Sequence, residues 1–372
     1  MKHIGTITTH AALNYGAVLQ AYALRKYVEE QGYDCNVINY IPGHVDKSYK
    51  LISIPKSPKG LVLSTFQAIN YSQRKKRKKR FESFREEFIK VSGERIKTHG
   101  DLVDTVNKYD LIICGSDQIW SPVLHDFDEG YFLSFPEVKI RRVSYAASFG
   151  QDVVDEKFIP ELKRRLTCFT DFACREYTAQ KLVKRLTDKD AEMVLDPVFL
   201  LDNVEWEKIM DPRKTSEPYN LIYFLSNPGQ SPFAIKKYAE SNNSEVISIG
   251  FSPRDFKYGI NCNYSLGPRE FLSAIASADF VLTNSFHCTA FAILMKKNFY
   301  TRISSSKDSR NNRMISLLTD LGLEDRLYVD KDADKLDFNK SIDYEKVQIK
   351  LNERIDASKR YIDRILSEVA NS

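Results

Sequence analysis

His287 stands in a setting that favours chemistry. It follows Thr283-Asn284-Ser285, three small polar residues of the kind that turn a chain and cap a helix. Before them, Phe280-Val281-Leu282 is a short apolar run suited to a buried parallel strand. After them, Thr289 to Met295 holds neither glycine nor proline and reads as a largely buried helix. The order predicts an imidazole in the first turn of a helix, just past the carboxyl end of a strand. Proton transfer near neutral pH is the chemistry such a ring offers. The neighbouring helix N–H groups favour an anion. A histidine that merely caps a turn is the alternative on these residues alone.

Three other places put polar residues where a strand or loop runs into a helix or turn. Asn14-Tyr15-Gly16 opens a helix after the strand Ile4 to Ile7. Asp117 and Gln118 follow the strand Asp110 to Cys114, with Gly115 allowing close backbone approach. Arg175 follows the short strand Phe172-Ala173-Cys174 and precedes the helix Tyr177 to Leu186. The alternatives are a packing turn at Asn14 to Gly16, an Asx-turn at Asp117 and a surface ion pair at Arg175.

The elements that must position these residues alternate between strand and helix in two regions. In the first, strands are expected at Ile4–Ile7, Cys35–Tyr40, Asp110–Cys114, Arg142–Phe149 and Phe172–Cys174, with a helix from Leu162 to Phe172. In the second they are expected at Leu221–Leu225, Val246–Ile249, Phe280–Leu282 and Phe299–Arg302, with helices at Pro232–Glu240, Arg269–Ser277 and Arg310–Leu321. This predicts an α/β protein of two Rossmann-like domains facing across a cleft. The expected layout is residues 1–201, a linker at 202–218 with a short helix near Trp206, residues 219–342, and a C-terminal helix in 343–372 bracing the two. Residues of about 51–90 break the alternation and read as a basic helical insertion in the first domain.

The 372 residues suit two domains rather than one core, and 42% hydrophobic with 28% charged is ordinary for a globular protein. No apolar run reaches the length of a membrane span, and Met1 to Thr6 lacks the apolar core of a signal peptide, so a cytoplasmic protein is expected. Net charge is +5, but the run Arg74 to Arg80 (RKKRKKR) carries seven positive charges, leaving the remainder nearly neutral. A solvated face is the plain reading of that run. Peripheral contact with anionic lipid at the inner face of the membrane comes next. Nucleic acid is not expected, because Phe81, Phe84 and Phe88 recur at helical spacing rather than as a stacking platform. The six cysteines form no C-x-x-C pair and no His spacing completes a zinc site, so free, buried thiols and no metal are expected.

The words NYGAVLQAYAL (14–24), GSDQIW (115–120), SYAASFG (144–150), Arg175-Glu176, LDP (195–197) and TNSFHCTAFA (283–292), in this order, resemble the polysaccharide pyruvyl transferase family. The resemblance runs from Asn14 to about Arg326. It implies a GT-B-like pair of domains and transfer of pyruvate from phosphoenolpyruvate to a sugar as a ketal, with release of phosphate, in cell-surface polysaccharide biosynthesis. It implies that His287 is catalytic and that Arg175 is a donor ligand. Asn284 stands where the family often has Asp, Cys288 where it often has Gly, and Ser285 where some members have Arg. Ser285, Asn284 and Arg313, or Lys307 with Arg310, are then the residues left to hold the donor. The acceptor, lipid-linked in one version, would lie against Asn14, Tyr15, Asp117 and Gln118. No cofactor is required. Two other readings stay open: a GT-B glycosyltransferase using a nucleotide sugar, and a non-catalytic sugar- or nucleic-acid-binding protein.

Overall fold

The computed structural model describes residues 1–43, 51, 57–151, 153–212, 217–250, 258–304 and 311–371. Lys307 and Arg310 lie outside them. The chain divides into two compact units: Met1–Ser48, Arg85–Leu201 and Gln348–Ser372 form the first, Tyr49–Phe84 and Asp202–Val347 the second.

In the first unit β1 (His3–Ile7), β2 (Asp34–Val37), β3 (Leu111–Cys114) and β4 (Arg141–Ser144) pair in the order β2-β1-β3-β4, all parallel. The pair β5 (Phe172–Cys174) and β6 (Ala191–Met193) continues beyond β4 through the bridges Val143–Asp171 and Ala147–Cys174. β3 is buried at every residue, which is why its run Leu-Ile-Ile-Cys is continuous rather than alternating. The helix Tyr15–Glu30 joins β1 to β2, and Gly32 beyond its end takes a φ of 87°, open to glycine without strain. The core centres on Trp120, fully buried among the rings of Phe132, Phe149, Phe169 and Phe172. Such ring pairs each add about 0.5–1.5 kcal/mol beyond their buried area.

In the second unit β7 (Tyr219–Tyr223), β8 (Glu245–Ser248), β9 (Asn261–Cys262), β10 (Phe280–Thr283), β11 (Asn298–Arg302) and β12 (Leu327–Tyr328) form one parallel sheet in the order β12-β11-β10-β7-β8-β9. Two parallel α/β units of Rossmann type match the expected fold class.

Several boundaries differ from the sequence reading. The apolar run Arg142 to Phe149 is a strand only to Ser144; Tyr145 to Phe149 stay buried, but Ala146 turns to φ 52° and single bridges replace the ladder. The helix expected to reach Phe172 ends at Leu166. The stretch expected as a linker packs into the second unit. Its helix Asn203–Ile209 sets Trp206 edge-on to Phe291 at 4.9 Å, and Arg269 Nε donates to Ile209 O at 3.0 Å.

The basic insertion, expected with the first domain, forms two helices, Pro58–Ile69 and Tyr71–Phe88, and residues up to Phe84 group with the second unit. The reason is local. Arg80 Nε pairs with Glu270 at 2.6 Å, Arg80 Nη1 donates to Ser265 O at 2.8 Å, and Phe66 meets the Tyr264 ring at 5.5 Å. The C-terminal helix Tyr344–Ala370 is divided between the units. Tyr344 OH donates to Ala292 O at 3.3 Å within the second, and Tyr361 OH donates to Ser144 O at 2.9 Å within the first. Among the described residues no helix is long and apolar enough to cross a membrane.

Candidate active site

In an open parallel sheet the crevice for a ligand forms where neighbouring strands send their connections to opposite sides, at the carboxyl ends. The first sheet reverses between β1 and β3, the second between β7 and β10. Asn14, Tyr15, Asp117 and Gln118 follow β1 and β3. Asn284, Ser285 and His287 follow β10. Each expected cluster therefore sits at the switch point of its own sheet.

At the first switch point a charge lattice is buried. The Arg175 side chain is 1% exposed; its Nη1 pairs with Asp196 and donates to Ser116 Oγ at 3.3 Å, while Nη2 donates to Asp117 Oδ1 at 3.1 Å. Glu176 Oε2 lies 3.7 Å from Arg175 Nε, and Ser148 Oγ donates to the other oxygen of Glu176. Burial alone disfavours the guanidinium charge, but Asp196, Asp117 and Glu176 outweigh that and keep its pKa raised. Ser116 is gripped in turn: its N–H donates to Gln20 Oε1 at 3.1 Å and its hydroxyl to Asp196 Oδ2 at 3.0 Å. Gln20 Nε2 donates to Thr8 Oγ1 at 2.8 Å, tying in the end of β1. The backbone is equally committed. Gly115 has φ 128°, and a Cβ there would stand 2.1 Å from Tyr145 O. Asp117 holds φ 76°, in the left-handed region that Asp tolerates better than most.

The other first-unit residues are placed differently from one another. Asn14 is exposed, and its Oδ1 accepts the N–H groups of Gly16 at 3.0 Å and Ala17 at 3.4 Å, so it is the N-cap of its helix. Tyr15 is 1% exposed and belongs to the core. Gln118 is half-buried, with its side chain close against Gly150. His10, also just past β1, is 1% exposed, and burial lowers its pKa to about 4 against the pull of Thr8 O and Asn39.

At the second switch point the helix Phe286–Leu294 begins as the sequence predicts. Ser285 is its N-cap and accepts the Cys288 N–H at 3.4 Å; the Ser285 N–H donates to Thr283 Oγ1 at 3.0 Å. Asn284 Oδ1 accepts the Leu225 N–H at 2.8 Å and its Nδ2 donates to Ser226 Oγ at 2.8 Å, locking the loop after β7 to the loop after β10. His287, in the first turn, is 7% exposed, with its ring edge-on to Phe286 at 5.2 Å. The Arg313 guanidinium lies 5.8 Å from the same Phe286 ring, so the expected cation and the imidazole flank one aromatic. Cys288 is fully buried, and burial pushes its thiol up to about 12, so it stays neutral.

The structure thus joins Asp117 to Arg175 within the first unit, and Asn284, Ser285, His287 and Arg313 within the second. Residues not singled out individually by their spacing are Ser116, Gln20, Thr8 and Arg302. Arg302 ends β11, stacks over Phe224 at 4.9 Å and pairs with Asp330 at 3.1 Å. Its only sequence signal is its place as the last residue of a strand. Asp196 and Glu176 lay within quoted motifs, but nothing in those motifs showed that both reach Arg175. A cavity of about 220 Å³ in the second unit, lined by Arg80, Tyr219, Ser265, Glu270 and Ser273 among others, contains none of the expected site residues. Among the described residues no cluster of three or more His, Cys, Asp or Glu is arranged to hold a metal.

No curated protein matches the chain significantly. Solved structures do match in fold. A putative UDP-N-acetylglucosamine 2-epimerase from Listeria monocytogenes superposes with a TM-score of 0.60 at 11% identity, covering 100% of this chain and 97% of the other. The S. aureus MnaA–UDP co-structure gives 0.55 at 11%, covering 98% and 96%. The UDP-GlcNAc 2-epimerase from Neisseria meningitidis bound to UDP-GlcNAc gives 0.55 at 10%, covering 99% and 100%. At such identity the likeness is one of fold alone, and the fold class is the GT-B-like one expected. The family model described as polysaccharide pyruvyl transferase matches residues 14–307, from the cap of the first switch point past the histidine of the second, and the chain belongs to that family.

Proposed function

We propose that the protein transfers pyruvate from phosphoenolpyruvate to a sugar, forming a ketal across two hydroxyls in cell-surface polysaccharide biosynthesis. The observation that carries this reading is His287, in the first turn of a capped helix at the switch point of β7 and β10, inside the stretch that matches the family.

The chemistry asks for little else. A proton added to the methylene carbon of the donor makes a methyl group and leaves the central carbon electron-poor. One sugar hydroxyl adds to that carbon and gives up its proton. A second hydroxyl then displaces phosphate, which departs with the remaining proton. His287 is the group that carries protons in this scheme, worth about 10²–10⁴ in rate. Ser285 and Asn284 shape the helix start that receives the donor's anionic groups, and Arg313 supplies a cation beside them.

On the acceptor side Asp117 and Gln118 face the sugar, and Asn14 holds the start of the adjoining helix. Tyr15 and Arg175 act from inside: their burial suits them to positioning, with Arg175 orienting Asp117 rather than touching the donor. The reaction is cytoplasmic, at the inner face of the membrane where the acceptor is lipid-linked.

The test is phosphate release from phosphoenolpyruvate with a panel of galactosides and N-acetylmannosaminides. The neighbours with bound UDP or UDP-GlcNAc keep a nucleotide-sugar transferase as the second reading. Thermal-shift titration separates the two: phosphoenolpyruvate raises Tm under the first, uridine diphosphate under the second.

A further inference from the structure

The helix Pro58–Ile69 is turned inside out. Its inward residues include Ser64 and Gln67, exposed by 8% and 5%, together with Phe66, and its C-cap Asn70 is exposed by 7%. Its most outward aliphatic residues are Leu61, Val62 and Ile69, exposed by 58%, 61% and 73%, with Thr65 and Ala68 completing the stripe and Leu63, exposed by 37%, at its edge. Positions 61, 62, 65, 68 and 69 fall on one side of a helix. The buried polar groups are satisfied locally: Ser64 Oγ donates to Gly60 O at 2.9 Å, and Asn70 Nδ2 to Phe66 O at 2.9 Å. A globular protein places its aliphatic residues the other way round unless the outer face has a partner.

The next helix divides its basic run by burial: three arginines and Lys78, which pairs with Glu82 at 3.8 Å, are half-buried. Arg74, Arg77 and Arg80 are half-buried; Arg77 lies over the Phe81 ring at 5.4 Å and Arg80 is held by Glu270. Lys75, Lys76 and Lys79 are exposed. The arginines fasten the helix to its unit, and Lys75, Lys76 and Lys79 are left for solvent or for a partner. Ile69 and Tyr71, 43% exposed, lead from the apolar stripe into the lysines.

We propose that Leu61, Val62 and Ile69, with Lys75, Lys76 and Lys79, form a surface that docks on a bilayer containing anionic phospholipid. The aliphatic side chains enter the interface and the ammonium groups meet lipid phosphates, which is how a helix that lies on a membrane divides its work. A second copy of the chain is a poorer occupant. An isologous contact sets the same patch against itself and brings both sets of lysines together, and a few aliphatic side chains fall well short of the ~800 Å² per partner of a stable interface. Nucleic acid would use the lysines and leave the stripe bare. The proposal stands apart from pyruvyl transfer and survives if that reading fails.

The test is flotation of the full chain with vesicles of phosphatidylcholine alone and of phosphatidylcholine with phosphatidylglycerol. The expected result is binding to the mixed vesicles only, weakened by salt. Leu61→Ser/Val62→Ser/Ile69→Ser lowers partition at least about tenfold and Lys75→Glu/Lys76→Glu/Lys79→Glu removes the preference for anionic lipid, with Tm unchanged in both because all six side chains are outside the core. Ile69→Trp shifts its fluorescence to the blue on the mixed vesicles, read as the difference from wild type, whose buried Trp120 and Trp206 emit the same with and without lipid. Binding that ignores the aliphatic substitutions, an unshifted Ile69→Trp spectrum, no binding at low salt, or a dimer in light scattering that the serine variant dissociates would each overturn the proposal.

Discussion

At the first unit's switch point one buried guanidinium answers three carboxylates, whereas the second switch point is built with a hydroxyl cap, a loop-locking amide and, across the Phe286 ring from His287, the Arg313 guanidinium. The two materials behave differently. A buried charge lattice is expensive to desolvate and intolerant of losing a member. A cap and an amide hold a loop with neutral groups, each worth about 1 kcal/mol. Under the proposed function the first switch point supplies rigidity and the second carries the protons. Substitutions should therefore cost stability at the first and activity at the second.

The sharpest break should come from Arg175→Met. It leaves Asp196, Asp117 and Glu176 buried without their cation, and denaturant unfolding should show a loss of about 3–5 kcal/mol. Mutating the carboxylates and the arginine together should recover part of it, since the cost lies in the unpaired charges. A loss below 1 kcal/mol for the single variant would mean that water reaches the lattice.

His10 sharpens the same contrast through pH. Its folded pKa is lowered to about 4 from an ordinary 6.5, chiefly by burial, so the fold holds it neutral. Its share of stability is complete above pH 6.5 and is lost as pH falls toward 4, because the unfolded chain takes up a proton that the folded one refuses. That share is about 3 kcal/mol. His10→Gln should flatten this part of the curve relative to wild type when unfolding is followed between the two pH values.

The caps should matter less. Asn14→Ala removes the acceptor for two N–H groups of the first unit's helix, and Ser285→Ala the cap of the second; each should cost about 1 kcal/mol in chemical denaturation. Smallest of all, His287→Gln should change stability by about 1 kcal/mol or less, readable as an almost unmoved Tm.

The second switch point was legible because its signals are local. An apolar strand, three small polar residues and an unbroken apolar helix follow one another directly, and Ser285 caps as its type suggests. The first was legible only as positions. Nothing near Arg175 in sequence shows that Asp117, 58 residues earlier, and Asp196, 21 residues later, close on it. Parallel strand order brings them together, and that order is not written in any one segment. The two-residue strands β9 and β12 are too short for a period to show. Tyr145 to Phe149 look like strand because they are buried, yet burial and ladder pairing part company after Ser144. The insertion was assigned by adjacency along the chain, while Arg80, Phe66 and their partners Glu270, Ser265 and Tyr264 decide it by contact. Only exposure reveals that the aliphatic side of its first helix faces out.

The most direct measurement of the central claim is pyruvate ketal formation by His287→Gln, followed by mass spectrometry with phosphoenolpyruvate and the acceptor that serves wild type. The variant should keep its phosphoenolpyruvate-induced rise in Tm while ketal formation falls by about 10²–10⁴. Ketal formation at the wild-type rate, with folding and donor binding intact, would take the proton from His287 and leave the second switch point without its role.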